Sequence, residues 1–122
     1  MKVLLTGSTG FVGSAVARDM IRCNMKVIAA VRKLPVHSKL ELNNICYKEV
    51  GDIDKETEWS DALIGVETVV HCAGHTYVTK KDLNTQQICN KINVEGTFQL
   101  AKQAVEQKVK RFVYISSIKV NG

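Results

Sequence analysis

Three glycines spaced three apart, Gly7, Gly10 and Gly13, stand between the apolar run Lys2-Val3-Leu4-Leu5-Thr6 and a helical pattern that opens at Phe11. In a strand, turn and helix of this kind the first glycine lets the chain turn sharply. The second lets backbone approach a diphosphate, and the third lets the helix pack close on the strand. The helix N-terminus then offers free amides and the positive end of its dipole to the anion. A turn built only for tight packing uses glycine in the same way and stands as the plain alternative. Further along, polar or small residues follow each apolar run: Arg32-Lys33, Asp52-Ile53, Cys72-Ala73-Gly74 and Ser116-Ser117.

The elements that must position these groups follow from periodicity. Apolar runs at Lys2 to Thr6, Lys26 to Val31, Ile45 to Val50, Glu67 to Ala73 and Arg111 to Ser116 predict five strands. Helical patterns lie between them: Phe11 to Arg22, stopped by Asn24; a short helix from Thr57 to Ile64 closed by Gly65; and a long one from Thr85 to about Lys108. The buried side of the long helix is expected to carry Ile88, Ile92, Phe98, Leu100, Ala101, Ala104 and Val105. Leu34 to Asn44 holds the only proline and reads as a loop or a short, poorly ordered helix. Strands alternating with helices force parallel pairing with right-handed crossovers. The fold class is therefore α/β, a Rossmann-type doubly wound parallel sheet with strand order 3-2-1-4-5. Its ligands bind beyond the carboxyl ends of the strands, where the order reverses, and every residue pair named above falls there.

Composition narrows the function classes. The chain has 122 residues, about one domain, with 45% hydrophobic and 24% charged residues. Gly7, Ser8, Thr9, Gly10 and Gly13 interrupt the N-terminal apolar stretch, which excludes a secretory signal. No apolar run is long enough to span a membrane. The net charge of +5 suits an anionic ligand, but the lysines are dispersed and lack an aromatic platform, so nucleic acid is not an expected partner. Cys23, Cys46, Cys72 and Cys89 are widely spaced, form no metal-ligand pattern and read as reduced packing residues of a cytoplasmic protein.

Taken together, Gly-x-x-Gly-x-x-Gly at 7 to 13, Gly51-Asp52-Ile53, His71-Cys72-Ala73-Gly74, Asn93-Val94-Glu95-Gly96-Thr97 and Tyr114-Ile115-Ser116-Ser117 resemble the extended short-chain dehydrogenase/reductase family. The likeness is greatest to its nucleotide-sugar epimerase and dehydratase branch, and it covers essentially the whole chain. The resemblance implies that the turn after Gly7, with Thr9, Gly10, Phe11, Val12 and Gly13, cradles the diphosphate of a dinucleotide through backbone amides, and that Asp52 and Ile53 border the adenine. It also implies that Cys72, Ala73 and Gly74 line the dinucleotide near the nicotinamide-side ribose. Asn93 would support the active-site hydrogen bonds, with a helix-face polar residue as its bland reading. Ser117 would place a hydroxyl against the sugar oxygen that becomes a carbonyl, with Ser116 as the alternative if the register slips by one. Asn121 departs from the tyrosine usual at its position.

The same resemblance locates the cofactor choice. Nineteen residues beyond Gly13, where an NAD enzyme commonly has an acidic residue, this chain has Arg32, followed by Lys33. A guanidinium there grips a 2′-phosphate or stacks on adenine, which favours NADP over NAD. The family's catalytic tyrosine and lysine lie on a helix beyond the serine-bearing strand. Tyr77 and Lys81 match their spacing but precede the serine, so the match is read as coincidence. Residues 1–122 are accordingly expected to be an incomplete N-terminal NAD(P)-binding Rossmann domain, without the substrate lobe and inactive alone. A sheet cut in this way leaves an edge through which a homodimer can pair. The leading expectation is part of an NAD(P)-dependent nucleoside-diphosphate-sugar epimerase or dehydratase. An NADP-dependent ketone or aldehyde reductase is the enzymatic alternative, acting on another small carbonyl or alcohol substrate. A non-catalytic NADP-binding redox sensor is the alternative of another class.

Overall fold

The computed structural model describes residues 1–34, 41–42, 44–73 and 91–115. Strand β1 (Lys2–Thr6) lies between β2 (Lys26–Val31) and β5 (Thr68–His71), with parallel register Leu4↔Ile28 and Leu4↔Val69. β4 (Ile45–Glu49) pairs parallel outside β2, and β6 (Arg111–Tyr114) pairs parallel outside β5. These five strands reproduce the expected order 3-2-1-4-5. The two-residue β3 (Glu41–Leu42) adds antiparallel to β4, giving β3-β4-β2-β1-β5-β6. The loop expected over residues 34–44 therefore contains one edge bridge, made by pairing with a strand that adjoins it in sequence.

β1 is buried over Val3, Leu4, Leu5 and Thr6, as a central parallel strand covered on both faces must be. Alternation along the strands divides the core into two layers. Val3, Leu5, Val27, Ala29 and Val70 pack against Ala17 of α1 (Phe11–Arg22). Leu4, Ile28 and Val69 pack on the other face against Trp59, Leu63, Leu100 and Ala104.

The second layer corrects two expectations. The short helix over residues 57–64 is instead a run of turns, in which Leu63 N donates to the Trp59 carbonyl and Val66 N to that of Leu63. Its backbone is satisfied from outside: the Gln99 and Gln103 amides both donate to the Thr57 carbonyl, and Trp59 N donates to Gln103 Oε1 at 2.7 Å. A regular helix is not needed when a neighbour supplies the partners. The long helix is described from residue 91 as a π-helical turn (Lys91–Gly96) followed by α2 (Thr97–Glu106). Its buried side is Leu100, Gln103 and Ala104, while Phe98 and Val105 are 71% and 77% exposed. Gln103 takes the inward place because its amide holds the turn segment, and the two apolar side chains face outward. Ile88 lies outside the described residues.

Both helices end in the same hydrogen-bonded motif. Asn24 has φ 61°, with Asn24 N donating to Ile21 O and Met25 N to Met20 O. Lys108 has φ 61°, with Lys108 N donating to Val105 O and Val109 N to Ala104 O. These are Schellman ends, which favour glycine at the left-handed residue. Lys108→Gly is therefore expected to stabilise the chain by about 0.5–1 kcal/mol, read as a rise of a few degrees in Tm on thermal denaturation.

Candidate functional site

Gly7 leaves β1 with φ 74°, and a Cβ placed on it would lie 2.7 Å from Ala73 N and 2.8 Å from the Cys72 carbonyl carbon. Gly13, in the first turn of α1, has the Gly7 carbonyl so close that any side chain would overlap it. The end of β1, the end of β5 and the start of α1 are thus in backbone contact. Gly10 is different. It has φ −80° and ψ 175°, and among the described residues a Cβ on it would meet only the Gly7 carbonyl oxygen, at 3.4 Å. The fold makes no demand for glycine there. Gly10 precedes α1 without any side-chain cap, so the helix's first amides are free. In the same turn the buried Ser8 Oγ has no hydrogen-bond partner among the described residues. Phe11, at the helix start, is 94% exposed. A side-chain-sized gap, free amides and an orphaned hydroxyl are features that a bound diphosphate would complete.

The neighbouring strand ends form the rest of the crevice. Arg32, just past β2, places Nη1 3.6 Å from Asp52 Oδ1, just past β4, and both side chains are open to solvent. The loop carrying Asp52 is fastened by Thr57, whose hydroxyl accepts from Asp54 N at 2.8 Å and donates to the Asp52 carbonyl at 2.6 Å. Ile53 packs against Gly96 at the junction with α2, its Cγ2 filling the place a side chain at 96 would take. Lys33 is exposed beside Arg32, and Cys72 and Ala73 are half-buried just past β5. Burial pushes the Cys72 thiol up from its ordinary pKa.

His71 is the residue that sequence reasoning passed over, naming it only within the motif His71-Cys72-Ala73-Gly74. Its ring is fully buried. Nδ1 lies 2.6 Å from Thr6 Oγ1 and Nε2 lies 2.9 Å from Thr97 Oγ1. Thr6 Oγ1 also accepts from Cys72 N at 3.1 Å and Ala73 N at 3.0 Å. Tyr114 stacks on the ring at 5.8 Å. Burial lowers the His71 pKa from 6.5 to about 4. A signal was present in the sequence: a lone histidine in an otherwise apolar strand needs polar partners, and Thr6 stands at the matching end of β1.

The structure thus gathers Gly7, Thr9, Gly10, Phe11, Val12 and Gly13 with Arg32, Lys33, Asp52, Ile53, Cys72 and Ala73 along one edge of the sheet. Asn93 falls in the π-helical turn where a regular helix was expected. Gly74, Ser116 and Ser117 lie outside the described residues, as do Tyr77, Lys81, Cys89 and Asn121.

A parallel sheet in this order, with a glycine turn at the point where the order reverses, is a Rossmann-type fold. The chain belongs to the 3-beta hydroxysteroid dehydrogenase/isomerase family, which it matches over residues 4–122. It is 40% identical over 122 residues to a UDP-glucose 4-epimerase of Vibrio cholerae, covering 98% of this chain and 36% of that protein. Among solved structures, the UDP-glucose 4-epimerase of Thermotoga maritima with UDP-glucose aligns with a TM-score of 0.77 at 25% identity. That alignment covers 96% of this chain and 38% of the other. A short-chain dehydrogenase/reductase superfamily protein of Agrobacterium tumefaciens with bound NAD aligns at 0.72 and 28% identity, covering 96% and 33%. The likeness to nucleotide-sugar epimerases read from the motifs is thereby borne out. The chain spans about a third of the length of the curated relatives it matches, 36% of the Vibrio protein and 32% of a steroid dehydrogenase from Mycolicibacterium neoaurum. No helix among the described residues is long and apolar enough to cross a membrane.

The buried His71 makes stability depend on pH. Above pH 6.5 the ring is neutral in both folded and unfolded chains. Between 6.5 and about 4 the unfolded chain takes up a proton that the folded chain does not. Stability is expected to fall as pH drops through that window, by up to about 3 kcal/mol, and to level below it. Urea denaturation of the wild type and His71→Asn from pH 8 to pH 4 checks this, the difference between the two profiles isolating the histidine.

Proposed function

We propose that residues 1–122 form the dinucleotide-binding part of an NAD(P)-dependent nucleoside-diphosphate-sugar epimerase or dehydratase. The observation that carries the reading is Gly10: the described residues leave room for a side chain there, at the uncapped N-terminus of α1, in the turn that also holds the Ser8 hydroxyl without a described partner. Gly7, Thr9, Gly10, Phe11, Val12 and Gly13 hold the diphosphate. Asp52 accepts from the adenine amine, and Ile53, braced against Gly96, covers its face. Cys72, Ala73 and Gly74 border the nicotinamide-side ribose. Bound in this crevice, the nicotinamide supplies reversible hydride transfer at a sugar carbon. Ser117, with Ser116 as the alternative, donates a hydrogen bond to the oxygen on that carbon, and Asn93 supports it.

Arg32 and Lys33 give the adenosine end a positive field, so we read NADP as the preferred dinucleotide. Asp52 already pairs with Arg32 across the mouth, which tempers that preference without removing it. The family's hydroxysteroid dehydrogenase members support a second reading, an NADP-dependent reductase acting on a ketone or aldehyde. The free thiols of Cys23, Cys46 and Cys72 suit a reducing compartment, the cytoplasm. β6 has no described strand on its outer side, and we read that edge as the one through which a second copy pairs. Sedimentation at high concentration checks it, a strictly monomeric profile counting against pairing.

Calorimetric titration with NAD and NADP tests the cofactor reading. Gly10→Ala is expected to change stability by less than about 0.5 kcal/mol yet weaken dinucleotide binding roughly tenfold or more. Failure of the wild type to bind either dinucleotide, or unchanged affinity in Gly10→Ala, overturns it. An NAD affinity equal to or above that for NADP removes the proposed preference.

A further inference from the structure

Thr6, His71 and Tyr114 occupy matching positions on β1, β5 and β6, a row across three adjacent strands on the face covered by α2. The hydrogen atoms of this row can be assigned by counting. The Thr6 hydroxyl has one hydrogen and two lone pairs. Ala73 N donates into it at 3.0 Å, and Cys72 N shares its hydrogen between this oxygen at 3.1 Å and the Thr6 carbonyl at 3.2 Å; neither amide nitrogen can accept. Among the described residues its hydrogen then has one destination, His71 Nδ1 at 2.6 Å. Nδ1 is therefore bare, Nε2 carries the ring proton, and Nε2 donates to Thr97 Oγ1 at 2.9 Å. A ring protonated on Nδ1 would leave the Thr6 hydroxyl hydrogen without an acceptor among the described residues.

We propose that His71 is the positioning residue of the crevice: held as the Nε2–H tautomer, it keeps the Thr6 hydroxyl an acceptor for the Cys72 and Ala73 amides and ties the first residue of α2 to the same point. Three walls of the site, the Gly7 turn, the Cys72–Ala73 turn and the start of α2, are locked to one ring. The ring is fully buried against Thr6, Thr97, Phe112 and Tyr114, so it reaches no ligand and is not a catalytic residue. One consequence concerns recognition. With their amides committed inward, Cys72 and Ala73 meet a ligand through carbonyls and small side chains, never as N–H donors. What the crevice holds rests on the dinucleotide reading above, whereas the hydrogen-bond arrangement stands without it.

The test uses the full chain. Long-range proton–nitrogen NMR of the free protein is expected to show a bare Nδ1 and a protonated Nε2 on His71, and a proton on Nδ1 overturns the proposal. In His71→Asn the side-chain oxygen can still accept from Thr6. In His71→Gln the amide nitrogen can still reach Thr97, but the acceptor for Thr6 is gone. Amide exchange at Ala73 is expected to stay near wild type in the first variant and to quicken about tenfold in the second, while Cys72 N keeps its bond to the Thr6 carbonyl in both. NAD affinity should change by less than about threefold and fall about tenfold, respectively. Thr6→Val, which keeps the ring and removes only the hydroxyl, should repeat the second pattern without a cavity at position 71. Equal exchange and affinity in both His71 variants, or losses that simply follow Tm, overturn the proposal. If the wild-type chain binds neither NAD nor NADP, the cofactor reading fails and the exchange pattern alone decides the positioning claim.

Discussion

The backbone of Gly7 has no free space on either side, and the crevice depends on that. Ala73 and Cys72 crowd it from β5 and Gly13 crowds it from α1, so the ends of two central strands and the start of a helix meet without a side chain between them. Such contact is possible only where Cβ atoms are missing, and it brings the amides of α1 to the place where the strand order reverses. The apolar layers supply the stability that holds this junction closed: Leu4 and its neighbours on one face, Val3 and Leu5 on the other.

Polar groups inside the second layer decide how α2 attaches. At its N-terminal end Thr97 meets His71, and further along Gln99 and Gln103 bond the backbone of the turn segment around Thr57 and Trp59. Apolar packing alone leaves a helix some freedom to slide or rotate, whereas hydrogen bonds at two ends do not. This explains an orientation that places an amide inward and Phe98 and Val105 outward. The same attachment brings Gly96 against Ile53, so that the Asp52–Ile53 lip packs directly on the start of α2.

Much of the architecture was legible in order. Near-continuous apolar runs marked the five parallel strands because central strands of a parallel sheet have no solvent face. The glycine triplet marked the mouth, since only glycine tolerates the close approaches at Gly7 and Gly13. α1 was legible to its last residue, with Asn24 adopting the left-handed conformation that asparagine accepts more readily than most residues. The helix from Thr57 and the inward side of α2 were not legible. Both depended on partners more than 40 residues away, and periodicity counts apolar residues without seeing which amide will find a carbonyl.

What the residues determined by themselves was therefore stereochemical and local: where the chain turns, which runs are strands, and which edge of the sheet gathers the polar groups. Tertiary structure alone decided the linkage between those groups. Thr6 and His71 lie 65 residues apart and become neighbours only when β1 and β5 pair in register. Thr97 joins them only because the crossover to β6 lays α2 over the same face. Short-range rules describe a backbone's choices, whereas the partner of a buried imidazole is set by the pairing of distant strands.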